Sequence, residues 1–382
     1  MKINFTELQG LRAIFIAANF DIWFVGGCVR DFLRGVDAKD IDLCTDATPD
    51  QQIAIYEANG VHYIPTGLQH GTITVVLDQP YEITTLRTET DHTGRHATVA
   101  FTRDLREDLS RRDLTINAMA LSFNDELIDP FGGEADLKAG RVRFVGNAEE
   151  RMREDYLRIL RFFRFHARIA GDQPPDGDAV KAIRATRAGL SQISAERIWM
   201  EMAKIITGPS AAETLRQMMT LTLFEITGMP PGSLGRVQHA QNCGVTDPAS
   251  VMGFYVLTPA DIEEIATSWK WSTQERQRAL FIANNHRETE IAGWQEMLVD
   301  GAPFEWVADL MSMQGVSPAV LANWPIPKMP VGGGDLIKTG MKPGPQMGEE
   351  IKRLTRIWKD SNYAATKNEL MGQVVANDIV AS

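Results

Sequence analysis

The sequence lacks an uninterrupted apolar run of membrane-spanning length: the longest candidate, 13–25, is broken by Asn19 and Asp21, so no membrane partner is expected. Cysteine is scarce. Three residues in 382, Cys28, Cys44 and Cys243, are odd in number and lack metal-ligand spacing, which excludes a disulfide framework and a thiolate zinc site and fits a reducing, cytoplasmic setting. A signal-peptide pattern is missing as well. Positive charge is in deficit, with 39 Lys and Arg against 50 Asp and Glu, so the net charge is −11. That balance excludes a protein that coats nucleic acid through its overall field, and any polynucleotide must be held by local patches. What remains is ordinary globular usage, 44% hydrophobic and 23% charged, in a chain long enough for two or three cores.

The stretch IWFVGGCVRDFLRGVDAKDID, 22–42, organises the rest. Ile22 to Val25 reads as a buried strand, Gly26 and Gly27 break it, and Val29 to Leu33 begin a helix. Such a turn leaves backbone N–H groups free for phosphate, and Arg30 adds a positive charge. Beyond a polar turn, Asp40 and Asp42 flank Ile41. In a strand the two carboxylates share one face, where their repulsion and hard oxygen ligands suit Mg²⁺. Further on, 67–77 and 81–86 read as strands pairing antiparallel. Glu82 is then either a third carboxylate near the aspartates or an edge residue in solvent. The polar segment 87–98 has no apolar period and reads as a surface loop.

Three later segments carry charge at fixed spacing. LSRRDLTINAMAL, 109–121, sets Arg111, Arg112 and Asp113 just before a buried run, and DPFGGEADL, 129–137, is a turn by composition. Between Arg141 and Arg168 lie eight arginines against four acids, unusual in an acidic chain. REDYLRILRFFRFHAR reads as one largely buried helix whose charges face partners, with Asp155 and Arg158 one turn apart and Arg161 and Arg164 continuing the step. Ser194 is a candidate cap for a helix to Ile206 with Ile198, Trp199, Met202, Ile205 and Ile206 on one side.

GGCVRDFLRG with KDIDLCT, the RRD string, DPFGG, EDYLRILR and ISAERIWMEMAKIITGP resemble, in this order, the motifs of the class II tRNA nucleotidyltransferases, the CCA-adding enzymes and bacterial poly(A) polymerases. The resemblance extends to about Pro209, with a weaker match in the lysine- and arginine-bearing tail 332–360. It implies an α+β fold: a head of the polymerase-beta type, a mixed sheet with helices at 1–145, followed by an all-α neck (146–208), body (209–326) and tail (327–382). It further implies catalytic Asp40 and Asp42 holding Mg²⁺. Triphosphate is then held by Gly26, Gly27, Arg30, Arg112, Arg161 and Arg164, and the ribose by Asp113. Segment 87–98 corresponds to a flexible loop that helps the site change from C to A. No His-Asp dipeptide occurs, so the phosphohydrolase domain of some relatives is not indicated.

Hydrogen bonding gives Asp155 and Arg158 a role as readers of the base. Cytosine and adenine each present an amine donor beside an acceptor nitrogen; a carboxylate only accepts and a guanidinium only donates, so the pair complements C and A and opposes U and G. The expected activity is template-independent addition of CCA to a tRNA 3′ end from CTP and ATP, with the tRNA acceptor stem as partner and no protein partner implied. A poly(A) polymerase, a partial CC- or A-adding enzyme, and a non-catalytic tRNA-binding protein are the alternatives.

Overall fold

The computed structural model describes residues 5–38, 40–93, 96–171 and 173–374. Helix α1 (Phe5–Ala17) leads into β1 (Ile22–Val25), followed by α2 (Gly27–Leu33), β2 (Asp42–Thr45), α3 (Pro49–Ala58), β3 (Tyr63–Gly67), β4 (Thr72–Val76) and β5 (Pro80–Thr85). Next come β6 (Arg87–Thr93), β7 (His96–Phe101), α4 (Leu105–Ser110), β8 (Ala120–Leu121), β9 (Leu127–Ile128) and α5 (Gly133–Lys138). Seven strands form one sheet in the order β3-β4-β5-β2-β1-β8-β9. Only the β2–β5 pair is parallel, so the sheet is mixed, and β4 pairs antiparallel with β5 as the sequence predicts.

Period-two alternation explains the two faces. Phe24, Leu43, Ile73 and Ile83 pack with Leu8, Leu11, Phe15 and Tyr56 beneath α1 and α3, whereas Val25, Cys44 and Ala120 pack with Leu86 and Leu109 on the other side. The central strands are thus covered on both faces, which is why IWFV is an unbroken apolar run.

Two sequence expectations change here. Segment 87–98 is not an irregular loop: β6 and β7 form an antiparallel hairpin outside the main sheet, with Gly94 and Arg95 outside the described residues. Its first strand, RTETDHT, is polar and lacks apolar alternation, the signal on which the loop reading rested, and the alternation of Ala97, Val99 and Phe101 in the second runs past the end of that segment. The arginine-rich helix is also broken. Helix α6 (Ala148–Glu154) ends at Asp155, which is extended (φ −153°, ψ 105°), and α7 (Arg158–Ile169) starts anew. Asp155 causes the break itself, because its Oδ1 accepts the Leu157 N–H at 3.1 Å and so offers the backbone a local alternative to the helix.

Helices α8 (Gly177–Thr186) and α9 (Ala195–Ile206) follow, then further helices to Ala322. One apolar cluster runs from Leu114 and Ile116 through Phe162, Phe163 and Met202 to Leu310 and Met313. The segments 146–208 and 209–326 therefore share a core that also reaches under the sheet domain's RRD segment. Residues 331–370 close a separate small core around Leu336, Leu354 and Trp358. No helix among the described residues is long and apolar enough to cross a membrane.

Candidate active site

The glycine turn is shaped by what approaches it. Gly26 has φ +74°, a backbone angle that favours glycine, and a Cβ there would stand 2.8 Å from Arg112 Nη1, so a larger residue would also displace that guanidinium. Gly27 opens α2. Arg30, on the same helix, is 6% exposed: its Nη1 donates to Asn117 Oδ1 at 2.6 Å, and its Nε and Nη2 donate to Asp31 at 3.0 Å. Burial draws its pKa down and Asp31 opposes this. Arg30 lines the cleft with these donors already engaged.

Asp42 is the first residue of β2, and Asp40 lies in the bend before it, so the strand pleat alone does not account for their common face. Both nonetheless line one cavity together with Glu82. Glu82 is the direct partner of Asp42 on the parallel neighbour β5 and is solvent-open, but β5 is an interior strand between β4 and β2, so Glu82 stands beside the aspartates and not at a sheet edge. The Asp42 carboxyl is pushed above its ordinary range, first by crowding from the cleft walls, although its edge is open to water, and then by the charge of Glu82; Arg112 opposes and Asp40 adds to the rise. Among the described residues no three acid, histidine or cysteine side chains already converge on an ion position. Two carboxylates with like-charge strain are nevertheless a fitting donor set for Mg²⁺, which commonly takes one or two carboxylates and completes its shell with phosphate oxygens and water.

Asp40 and Asp42 also open into a larger cleft of about 710 Å³, whose other walls carry Arg112, Asp113, Asp155, Arg158, Arg161 and Arg164. All the nucleotide-binding residues expected from the sequence thus meet in one place. Arg111 and Arg112 both bind Asp108, and these arginines overcome burial to hold the Asp108 carboxyl below its usual range. Asp113 is buried, which alone raises its pKa, but Arg161 Nε at 2.6 Å, the Asn117 amide and Arg158 bring it below the ordinary value. Asp155 and Arg158 do not pair with each other. Asp155 Oδ2 accepts from Arg197 Nη2 at 2.7 Å, and Arg158 Nη1 donates to Glu154 Oε2 at 2.5 Å and to the Arg151 carbonyl. Each is therefore braced from behind, within the same cleft. Arg164 Nε donates to the buried Glu201 at 2.6 Å. The Phe165 ring gathers three guanidinium groups, Arg164 at 4.2 Å, Arg30 at 4.9 Å and Arg161 at 5.8 Å from its centroid.

A family model described as the Poly A polymerase head domain matches residues 22–143, and one described as the probable RNA and SrmB-binding site of polymerase A matches 175–227. The mitochondrial CCA tRNA nucleotidyltransferase 1 of Mus musculus is 36% identical over 97% of this chain and 90% of its own length. The chain belongs to the CCA-adding tRNA nucleotidyltransferase family. It is, accordingly, a nucleotidyltransferase. The CCA-adding enzyme of Geobacillus thermodenitrificans is 41% identical over 56% of this chain and 52% of its own. The crystal structure of the Bacillus stearothermophilus CCA-adding enzyme in complex with CTP superimposes with a TM-score of 0.78 at 29% identity, covering 95% of this chain and 94% of that one. The Thermotoga maritima CCA-adding enzyme complexed with tRNA, at 19% identity and a TM-score of 0.63, shares the fold.

Several side chains of this nucleotidyltransferase site escaped the sequence reading: Asn117, Glu154, Phe165, Arg197 and Glu201. One signal was available for Glu201, since it falls within the apolar stripe of Ile198, Met202 and Ile205 on α9. DPFGG proves to be more than a turn. Asp129 caps α5 through the Gly133 and Glu134 N–H groups, and Gly133 packs against the Thr115 carbonyl just beyond RRD. In the tail, Lys338, Lys352, Arg353 and Lys359 each carry an acidic partner, which reduces the basic patch expected there.

Proposed function

We propose that this enzyme adds CCA to the 3′ end of tRNA from CTP and ATP with release of pyrophosphate. One observation supports it above the others: the Asp40–Asp42 pair opens into the same cleft as Asp155, Arg158 and the arginines Arg161 and Arg164 of α7. In this reading Asp40 and Asp42, with Glu82 beside them, hold two Mg²⁺ ions. Bound there, the ions supply charge that lowers the pKa of the RNA 3′-hydroxyl and offsets that of the leaving pyrophosphate. The backbone of Gly26 and Gly27 and the guanidinium groups of Arg112, Arg161 and Arg164 seat the triphosphate, with Arg30 fixing the turn from beneath. Asp113 receives the ribose hydroxyl. Asp155 accepts from the exocyclic amine of C or A and Arg158 donates to the ring nitrogen, so selection needs no template. The head at 1–145 carries the chemistry, 146–208 the base reading, 209–326 supports it, and 327–382 contacts tRNA. The three free thiols favour a reducing compartment, the cytoplasm, although relatives bear mitochondrial names.

Incubation with tRNA lacking its 3′ end, with CTP and ATP separately and together, tests this by product length. Two C additions with CTP and a third, A, only when both are present are expected. A long A ladder would establish a poly(A) polymerase, the reading favoured by the name of the head-domain match. Extension that stops at CC or adds only A would establish a partial enzyme, and no incorporation with Mg²⁺ present would leave a tRNA-binding protein.

A further inference from the structure

A continuous chain of polar contacts, buried at its centre and half-buried at its ends, joins the glycine turn to the base-reading helix. Asp31 binds Arg30 at 3.0 Å, Arg30 Nη1 donates to Asn117 Oδ1 at 2.6 Å, Asn117 Nδ2 donates to Asp113 Oδ1 at 3.2 Å, and Asp113 Oδ2 accepts from Arg161 Nε at 2.6 Å. Asn117 is the neutral link, 7% exposed, between a guanidinium and a carboxylate. A side-chain amide offers an acceptor to the first and a donor to the second from one planar group without carrying charge. The link is itself held rigidly. The turn Thr115–Asn117 is anchored by Thr115 N–H to the Arg143 carbonyl and by Thr115 Oγ1 to the buried Asp136.

We propose that Asn117 is a positioning residue that sets triphosphate seating and nucleoside reading in one register, by fixing Asp113, and through it Arg161, relative to the glycine turn. The proposal rests on the functional reading above and adds to it a residue of the cleft whose amide is committed on both sides, to Arg30 and to Asp113. Asn117 orients the Asp113 carboxylate so that one oxygen is committed to Arg161 and the other to the Leu114 N–H and the amide. Without the amide, Asp113 keeps its charge partner and the Leu114 N–H but loses the side-chain donor that ties its carboxylate to the glycine turn through Arg30. Ribose recognition then degrades along with turnover.

The test measures CTP and dCTP binding by calorimetry, with Mg²⁺, in the wild-type chain, Asn117→Leu and Asn117→Asp, beside single-nucleotide incorporation. Asn117→Leu is expected to lower the CTP-over-dCTP ratio about tenfold, the size of one coupled contact in a buried network. Asn117→Asp places a second carboxylate against Asp113, with Arg30 and Asp31 on the α2 side and Arg158 and Arg161 on the α7 side. Protonation of one of the two acids restores a donor there, so its ribose discrimination is expected to recover as pH falls, which Asn117→Leu cannot do. A merely structural Asn117 lowers thermal stability but leaves both the ratio and its pH profile at wild-type values, and that result overturns the proposal. Wild-type binding of CTP without incorporation into tRNA sinks the functional reading but not this inference. Wild-type failure to bind CTP sinks both.

Discussion

Asp42 on β2 and Glu82 on β5 stand opposite each other in register on adjacent parallel strands, and both open into the cavity that Asp40 enters from the bend. Loss of water in the cleft first, and then the charge of Glu82, raises the pKa of Asp42 in the folded chain. An acid whose folded pKa is raised costs stability when ionised, and the cost develops as pH rises from about 4, the unfolded value, through the folded one. Asp42→Asn is therefore expected to raise the melting temperature at pH 7 and to match the wild type near pH 3. It should also reduce incorporation by about 10³-fold or more. Added Mg²⁺ should raise the wild-type melting temperature and leave the variant nearly unmoved. A variant that melts lower at pH 7, or that keeps its turnover, contradicts the assignment of Asp42.

Asp155 owes its place to the break it makes between α6 and α7, and Arg197 fixes its outer oxygen. Asp155→Ala leaves the amine of C or A without its acceptor. Its preference for CTP and ATP over UTP and GTP is expected to fall by about 100-fold or more. Arg197→Ala keeps the acceptor but frees its plane, so its loss should be smaller and should fall mainly on kcat. Competition between nucleotides in single-addition assays gives both ratios; undiminished selectivity in Asp155→Ala defeats the base-reading role.

Some of this architecture was legible because the chemistry was local. Asp40 and Asp42, the RRD triplet and the arginines at 158, 161 and 164 each form a short local string, and it was the resemblance of these strings to the family's motifs, not their spacing, that placed them in one site. The strand Ile22–Val25 was likewise marked by its apolar run. Contacts that bridge 37 residues, as Arg164 to Glu201, or 87, as Arg30 to Asn117, leave no periodic trace. The break at Asp155 was hidden for a different reason. Its sequence is helical throughout, and the choice between helix and turn rests on one side-chain oxygen. Strands β6 and β7 were missed because hairpin pairing outside the main sheet does not require one apolar face.

Glu201 is 2% exposed and, among the described residues, pairs closely with Arg164, itself nearly enclosed, while Lys204 stands farther off at 3.8 Å. Removing one member of a buried pair strands the other. Glu201→Ala is expected to cost about 3 kcal/mol or more of stability, whereas the double variant Glu201→Leu with Arg164→Met should cost less than the sum of its single changes. Denaturant titration of the four species measures the coupling. Additive losses would mean that the 2.6 Å contact carries no coupling energy.

Gly133 lets α5 lie directly on the RRD segment: a Cβ there would come within 2.2 Å of the Thr115 carbonyl oxygen and 2.9 Å of the Met119 side chain. The first neighbour is backbone, pinned in turn by Thr115 to Asp136 and Arg143, so neither side can yield cheaply. Gly133→Ala is expected to destabilise by about 2–3 kcal/mol through overpacking. Because the displaced turn carries Asn117, incorporation should fall further than the loss of folded protein explains. Gly10 supplies the opposite case within α1, since nothing lies within 4 Å of its Cβ position and its φ is ordinary. Gly10→Ala should therefore stabilise by about 0.5–1 kcal/mol, as alanine does in an open helix interior, with turnover unchanged. Chemical denaturation of both variants beside the wild type, followed by incorporation assays at matched folded fraction, distinguishes the two cases. If Gly133→Ala retains full activity per folded molecule, the turn tolerates displacement and the close approach of α5 serves packing alone.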